Sequence, residues 1–235
     1  MSEEKVLINQ DVLKSDEEGT WTELKGTKRG EICIIDFFTQ MVIEENAYQV
    51  RAGTVTTAIT ADEAITDAAA EMAAVALAGT TIMPCEVWVT RNNDGGDSVE
   101  VAAKSVGATT MSGGTAYVPL NLFIGGKVAI TKAMHAAAGG VTVATELDTT
   151  TRQHFHVTNE FAVDSGAERT QIVRLYPSRH ISGVGAQGNP IIWHPAILPI
   201  LKGNACFYVQ IASATTAPGY FAHFDFIELP TTSVV

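Results

Sequence analysis

The sequence predicts an all-β chain, folded as an antiparallel β-sandwich behind a polar N-terminal arm. Three observations carry that expectation. Short runs rich in β-branched and aromatic residues recur along the chain, separated by Gly, Pro, Asn and Asp turn residues. Charged residues make up only 17% of the chain, below the ~25% usual in soluble proteins, which speaks against a charge-laced helical bundle or a disordered chain. Finally, 235 residues is a length that single all-β domains commonly reach, and enough to bury one substantial core. A barrel is the alternative closure of the same pattern.

Residues 1–30 form the arm, and 31–235 the β-domain. Within 1–31 lie eight acids and five bases, nearly a third of the 41 charges in the chain. Few apolar residues separate them, so the segment reads either as a solvated tail or as an arm docking on a neighbouring subunit through Val6–Ile8 and Trp21. From there the expected strands are Ile32–Phe38, Ala47–Ala52, Thr54–Ile59, Ile82–Thr90 and Ser98–Ala103. Asp94-Gly95 lies between the last two as a hairpin signal. Further runs are Ala116–Ile124, Lys127–Thr131, Val141–Glu146, Gln153–Thr158, Gln171–Tyr176, Ala205–Ser213 and Tyr220–Leu229. One short helix is expected near 61–78. Thr60 and Glu63 have capping-box spacing, Ile65, Ala69, Met72, Ala73 and Ala76 fall on one helical stripe, and Gly79 supplies a stop. An Ala-rich strand pair is the rival reading of that stretch.

A net charge of −11, with a single small basic knot at Lys25, Lys28 and Arg29, disfavours nucleic acid as a direct partner. The N-terminus lacks an apolar secretory core, and Met72–Ala78 is far shorter than the ~20 residues a membrane helix needs. Cys33, Cys85 and Cys206 each sit in an apolar run with no C-x-x-C spacing, the pattern of buried free thiols.

No segment identifies a reaction, and the expectation is of no catalytic residue, no cofactor and no metal. Gly183-Val-Gly185-Ala-Gln-Gly188 spells a dinucleotide fingerprint, but Pro190, Pro195 and Pro199 forbid the helix that fingerprint needs. His223 and Asp225 share one face of a strand opposite Phe224 and Phe226, which reads as the polar side of an amphipathic strand. His154-Phe-His156-Val-Thr-Asn-Glu160 has neutral-imidazole and carboxylate groups suited to zinc, iron or manganese. Its spacing resembles the first metal motif of the cupins. The resemblance implies a second motif, and there the chain departs from it: Pro190 and His194 are present, but Ile192 stands in place of Gly and Leu198 in place of Asn. Asp148 likewise replaces the glycine before the first motif. Two histidines on a solvent-facing strand are the simpler expectation.

Asn189–Leu201 is strongly apolar yet carries three prolines, so it is expected either to plug one end of the β-domain or to bury Trp193 and its neighbours against another subunit. Polar arm, short Thr/Ala/Gly-rich strands and a closing pair Cys206–Ile211 and Tyr220–Leu229 together resemble jelly-roll virion structural proteins of environmental bacteriophages, of major or auxiliary capsid type. That resemblance covers most of the chain in texture, without a diagnostic motif. It implies a jelly-roll sandwich, symmetric self-assembly as a homo-oligomer such as a trimer, other virion proteins as partners, location in the virion, and no enzymatic activity. A cupin-like metalloenzyme using His154, His156 and Glu160 is the alternative from another class, and a carbohydrate- or receptor-binding β-module is a third.

Overall fold

The computed structural model of the chain describes residues 37–54, 56–66, 69–91, 99–107, 111–135, 141–143, 151–159, 191–195, 197–213 and 219–234. The N-terminal arm, the hairpin signal at Asp94-Gly95, the Gln171–Tyr176 run, the Gly183–Gly188 loop, Cys33 and Glu160 all lie outside those residues. The described chain is mostly β, with antiparallel sheets and one α-helix. A seven-stranded sheet runs in the order β12 (Ile191–Trp193), β4 (Thr80–Arg91), β15 (Gly219–Pro230), β1 (Ala47–Ala52), β8 (Leu120–Asn121). In the same sheet β13 (Leu201–Lys202) also pairs with β4, and β2 (Ile59–Thr60) with β15. A six-stranded sheet runs β11 (Arg152–Asn159), β5 (Val99–Val106), β14 (Cys206–Ser213), β3 (Met72–Val75), β9 (Lys132–His135), β7 (Thr115–Tyr117). Two short strands, β6 (Met111–Ser112) and β10 (Thr142–Val143), pair separately.

The inner faces of the two sheets share one core. Tyr48, Val50, Val87, Phe224 and Phe226 from the first meet Met72, Val101, Phe207, Val209 and Ile211 from the second. Phe207 and Phe224 touch edge to face across the sandwich, with ring centres 5.2 Å apart. Both outer faces are partly capped as well. The β6/β10 pair covers Ala73, Val75, Cys206 and Tyr208 on the six-stranded sheet. Helix α1 (Phe37–Ile43) lays Phe38, Met41 and Val42 on Ala47, Met83 and Ile227 of the seven-stranded sheet. Their spacing puts these three side chains on one helical stripe. Glu45, at φ 61°, ends the helix in the left-handed region, and Asn46 N–H donates back to the Met41 carbonyl at 2.8 Å.

Two expectations change at this level. Residues 61–66 and 69–78 contain no helix; Met72–Val75 is a strand instead. All four of its residues are buried, Met72 and Ala74 in the central core and Ala73 and Val75 under the β6/β10 cap. A strand buried on both faces loses its alternation, and small apolar residues then imitate a helical stripe. The helix lies instead at Phe37–Ile43, where a strand was expected to end. Equally, β4 and β5 were expected to form a hairpin, and β14 and β15 a closing pair, but in each case the two strands belong to different sheets. Smaller differences fall in the Ala116–Ile124 and Lys127–Thr131 runs, which form short strands and turns rather than two continuous strands. Among the described residues no helix is long and apolar enough to cross a membrane.

Candidate functional site

On the outer face of the seven-stranded sheet, beyond the edge of the α1 cap, polar groups from three neighbouring strands converge. Phe224 and Phe226 point into the core, so His223 and Asp225 point out. Asp225 stands opposite Glu86 on β4 and opposite Gln49 on β1. Glu86 reaches this face because β4 carries a bulge: the register with β15 shifts between Asp225 and Phe226, so that Asp225 pairs with Glu86 and Phe226 with Pro84. Pro84 is tolerated inside a sheet at such a bulge, and the extra residue, Cys85, lets Met83 and Glu86 both face outward.

Ligand atoms of Glu86, His223 and Asp225 all lie within 4.8 Å of one another. His223 Nε2 is 4.0 Å from Glu86 Oε1, and His194 Nδ1 is 3.5 Å from the other oxygen, Oε2. His194 arrives there because Trp193, the last residue of β12, turns into the core and the next side chain turns out. Gln49 Nε2 donates to Asp225 Oδ1 at 2.9 Å, fixing that carboxylate from the far side. The Trp88 indole stacks on the His223 ring at 6.0 Å, and its Nε1–H bonds to Thr90 Oγ1 at 2.5 Å. Glu86 and Asp225 are only 8% and 5% exposed. Burial lowers the pKa of His223, partly opposed by the Glu86 carboxylate, so the neutral imidazole predominates near neutrality. Beside the cluster lies a shallow cleft lined by Gln49, Arg51, Trp88, Thr90, Phe221 and His223. Among the described residues this is the one place where three such side chains gather closely enough to share a metal ion.

His154 and His156 do not converge. A register shift between Gln153 and Phe155 leaves His154 as the extra residue of β11. His154 Nε2 lies 2.7 Å from Ser105 Oγ, and its ring packs on Trp193 and Phe207. Burial, with Arg152 adding to it, lowers its pKa. His156 pairs instead with Glu100 across the sheet, in a more exposed position. The two imidazoles therefore have separate partners, one turned toward the core and one toward solvent.

Trp193 is not an exposed anchor. It is 5% exposed and stacks on Phe207 at 5.9 Å within the central core. Farther along the proline-broken segment, Leu198 packs against the α1 cluster and Ile197 and Ile200 are exposed. Cys206 is buried, its thiol pushed up by burial, and Cys85 is partly buried, its thiol donating to the Met83 carbonyl. A second polar group is closed off: Glu71, 2% exposed, is raised to about 7 by burial, with Asp62 adding to the shift and the Tyr220 hydroxyl opposing it.

Comparison of the chain with family models, with curated proteins and with solved structures finds no match.

Proposed function

We propose that the chain is a structural virion protein of jelly-roll type, working by symmetric self-association, with a homotrimer as the expected unit. The observation supporting assembly is an ordered apolar platform on the surface. Phe123, Ile124, Val128 and Ile130 are exposed in the segment after β8, Ile124 at 96%, and Phe37 and Ile43 of α1 are exposed as well. Soluble domains seldom hold such a group of large apolar side chains in water without a partner for it.

The segment is pinned rather than loose. Asn121 Nδ2 donates to the Glu45 and Lys127 carbonyls, each at 2.9 Å, and Lys127 N–H donates to the Glu45 carboxylate at 2.9 Å. At its far end the buried Glu228 carboxylate accepts from the Ile130 and Thr131 N–H groups, the latter at 2.6 Å. A pre-ordered apolar surface loses little conformational entropy on association, which is what a repeated subunit contact needs. The virion setting and the jelly-roll connectivity rest on the sequence resemblance.

Analytical ultracentrifugation of the full chain tests the assembly. A defined oligomer at micromolar concentration is expected, converted to monomer by Ile124→Asp with Val128→Asp while the far-ultraviolet circular dichroism stays unchanged. A wild-type chain that sediments as a monomer at all concentrations would remove the basis for this function, as would an oligomer indifferent to the double substitution.

A further inference from the structure

We infer that Glu86, His223 and Asp225 form a binding site for one divalent transition-metal ion, zinc being the best-suited probe, with His194 as the outer partner that holds Glu86. This departs from the expectation of a metal-free chain drawn from the sequence, where His223 and Asp225 read as the polar side of a strand.

The donor set is one imidazole nitrogen and two carboxylates, a mixture that suits zinc, iron(II) or manganese rather than calcium or magnesium, which favour all-oxygen sites. Metal–ligand bonds of ~2.0–2.2 Å place neighbouring ligand atoms on a tetrahedral ion roughly 3.3–3.5 Å apart. The three groups already lie within 4.8 Å of one another, so side-chain rotations of about 1 Å suffice to close on an ion. None of the three needs a backbone change, because cross-strand pairing and the Pro84–Cys85 bulge have put all of them on one face.

The surrounding contacts are those of a supported site. Gln49 holds one oxygen of Asp225, and His194 sits on the Glu86 oxygen that does not face His223. Trp88 covers one face of the His223 ring and restricts its rotation. Groups in these positions orient ligands and strengthen metal sites. Arg51, opposite His223 on β1, is the one nearby fixed positive charge on that strand, and two carboxylates outweigh it. Because the ligands come from β4 and β15, with His194 following β12, an ion would fasten the edge of the seven-stranded sheet where the proline-broken segment leaves it.

The test uses the full chain, stripped with a chelator and dialysed, then titrated with zinc by calorimetry, with elemental analysis of the loaded protein. One zinc per chain is expected, with a dissociation constant in the micromolar range or tighter. His223→Ala and the near-isosteric Asp225→Asn should each weaken binding at least 100-fold. His194→Ala should weaken it about 10- to 100-fold, the usual effect of removing an outer-shell partner. His156→Ala, remote from the cluster, should leave binding unchanged. Cobalt(II) should occupy the same site and give visible absorption bands that disappear in Asp225→Asn. Melting of each metal-free variant checks that it is folded. Absence of saturable binding overturns the inference, and so does zinc binding that survives His223→Ala and Asp225→Asn in folded protein or is lost in His156→Ala.

Discussion

Replacing Glu71 with Gln should make the protein more stable from about pH 6 upward and leave it nearly unchanged near pH 4.5. Glu71 precedes β3, its N–H bonded to the Val209 carbonyl at 2.8 Å, and its carboxyl is sealed within the fold. Burial raises its pKa from 4.5 to about 7, with the neighbouring Asp62 charge adding to the shift. A pKa raised by folding means that the folded state resists ionisation. The stabilisation from keeping Glu71 protonated is fully present below the unfolded value and is lost as pH rises through the folded one. At 1.36 kcal/mol per pH unit the loss is roughly 2 kcal/mol by pH 6 and ~3 kcal/mol by pH 8. Gln carries no charge at any pH and nearly the same volume. Urea unfolding of both proteins at pH 4.5, 6, 7 and 8 yields a difference in which the other titrating groups largely cancel. That difference should grow in favour of Glu71→Gln by ~3 kcal/mol from the lowest pH to the highest. A difference that stays flat across the range would refute a buried, protonated Glu71.

Two further outcomes follow from the packing. Trp193→Ala should cost ~3–5 kcal/mol of unfolding free energy, because the indole fills the core between Phe207 and Phe155; thermal or urea melting would show it, and a variant that dissociates without losing stability would place Trp193 at an interface instead. Glu228→Ala should cost about 1.5–3 kcal/mol through the loss of charge-assisted bonds to the Ile130 and Thr131 N–H groups, and should weaken self-association more than Leu229→Ala does when both are compared by sedimentation at equal fraction folded.

What the sequence made legible was set by how many faces of each strand are covered. Ala47–Ala52 was readable to the residue because its inner face carries Tyr48, Val50 and Ala52 while Gln49 and Arg51 point outward, so the period of two survives. Long strands such as β4, β11 and β15 were found within a few residues for the same reason. At Met72–Val75 a second apolar layer behind the sheet removes the polar alternation, and propensity alone cannot distinguish a strand from a helix there. Pairing partners were beyond reach at β4–β5 and at β14–β15, where consecutive strands belong to different sheets. An Asp-Gly turn between strand-like runs fits a hairpin equally well whether the second run stays in the sheet or crosses the core, and only the packing of Val99, Val101 and Ala103 onto the opposite layer decides it.

The candidate site was half legible. His223 and Asp225 were seen to share a face, because two residues apart in a strand is a local relation. Glu86 was hidden by parity. In a regular strand Met83 and Glu86, three residues apart, face opposite ways, so the carboxylate would be assigned to the side away from Met83. Pro84 was the available signal, since a proline inside a long central strand implies a bulge, and a bulge reverses the facing of every residue beyond it. Counting across that bulge puts Met83, Glu86, Trp88 and Thr90 on one side. Even so, that Glu86 stands beside Asp225 rather than two residues along depends on the register of β4 against β15, and the two residues lie 139 positions apart in sequence. Such a register is fixed by the whole core at once, by Phe224 meeting Val87 and Ile227 meeting Met83. A site assembled from one local relation and one global one is therefore half visible in a sequence, and the half contributed by the neighbouring strand emerges only with the fold.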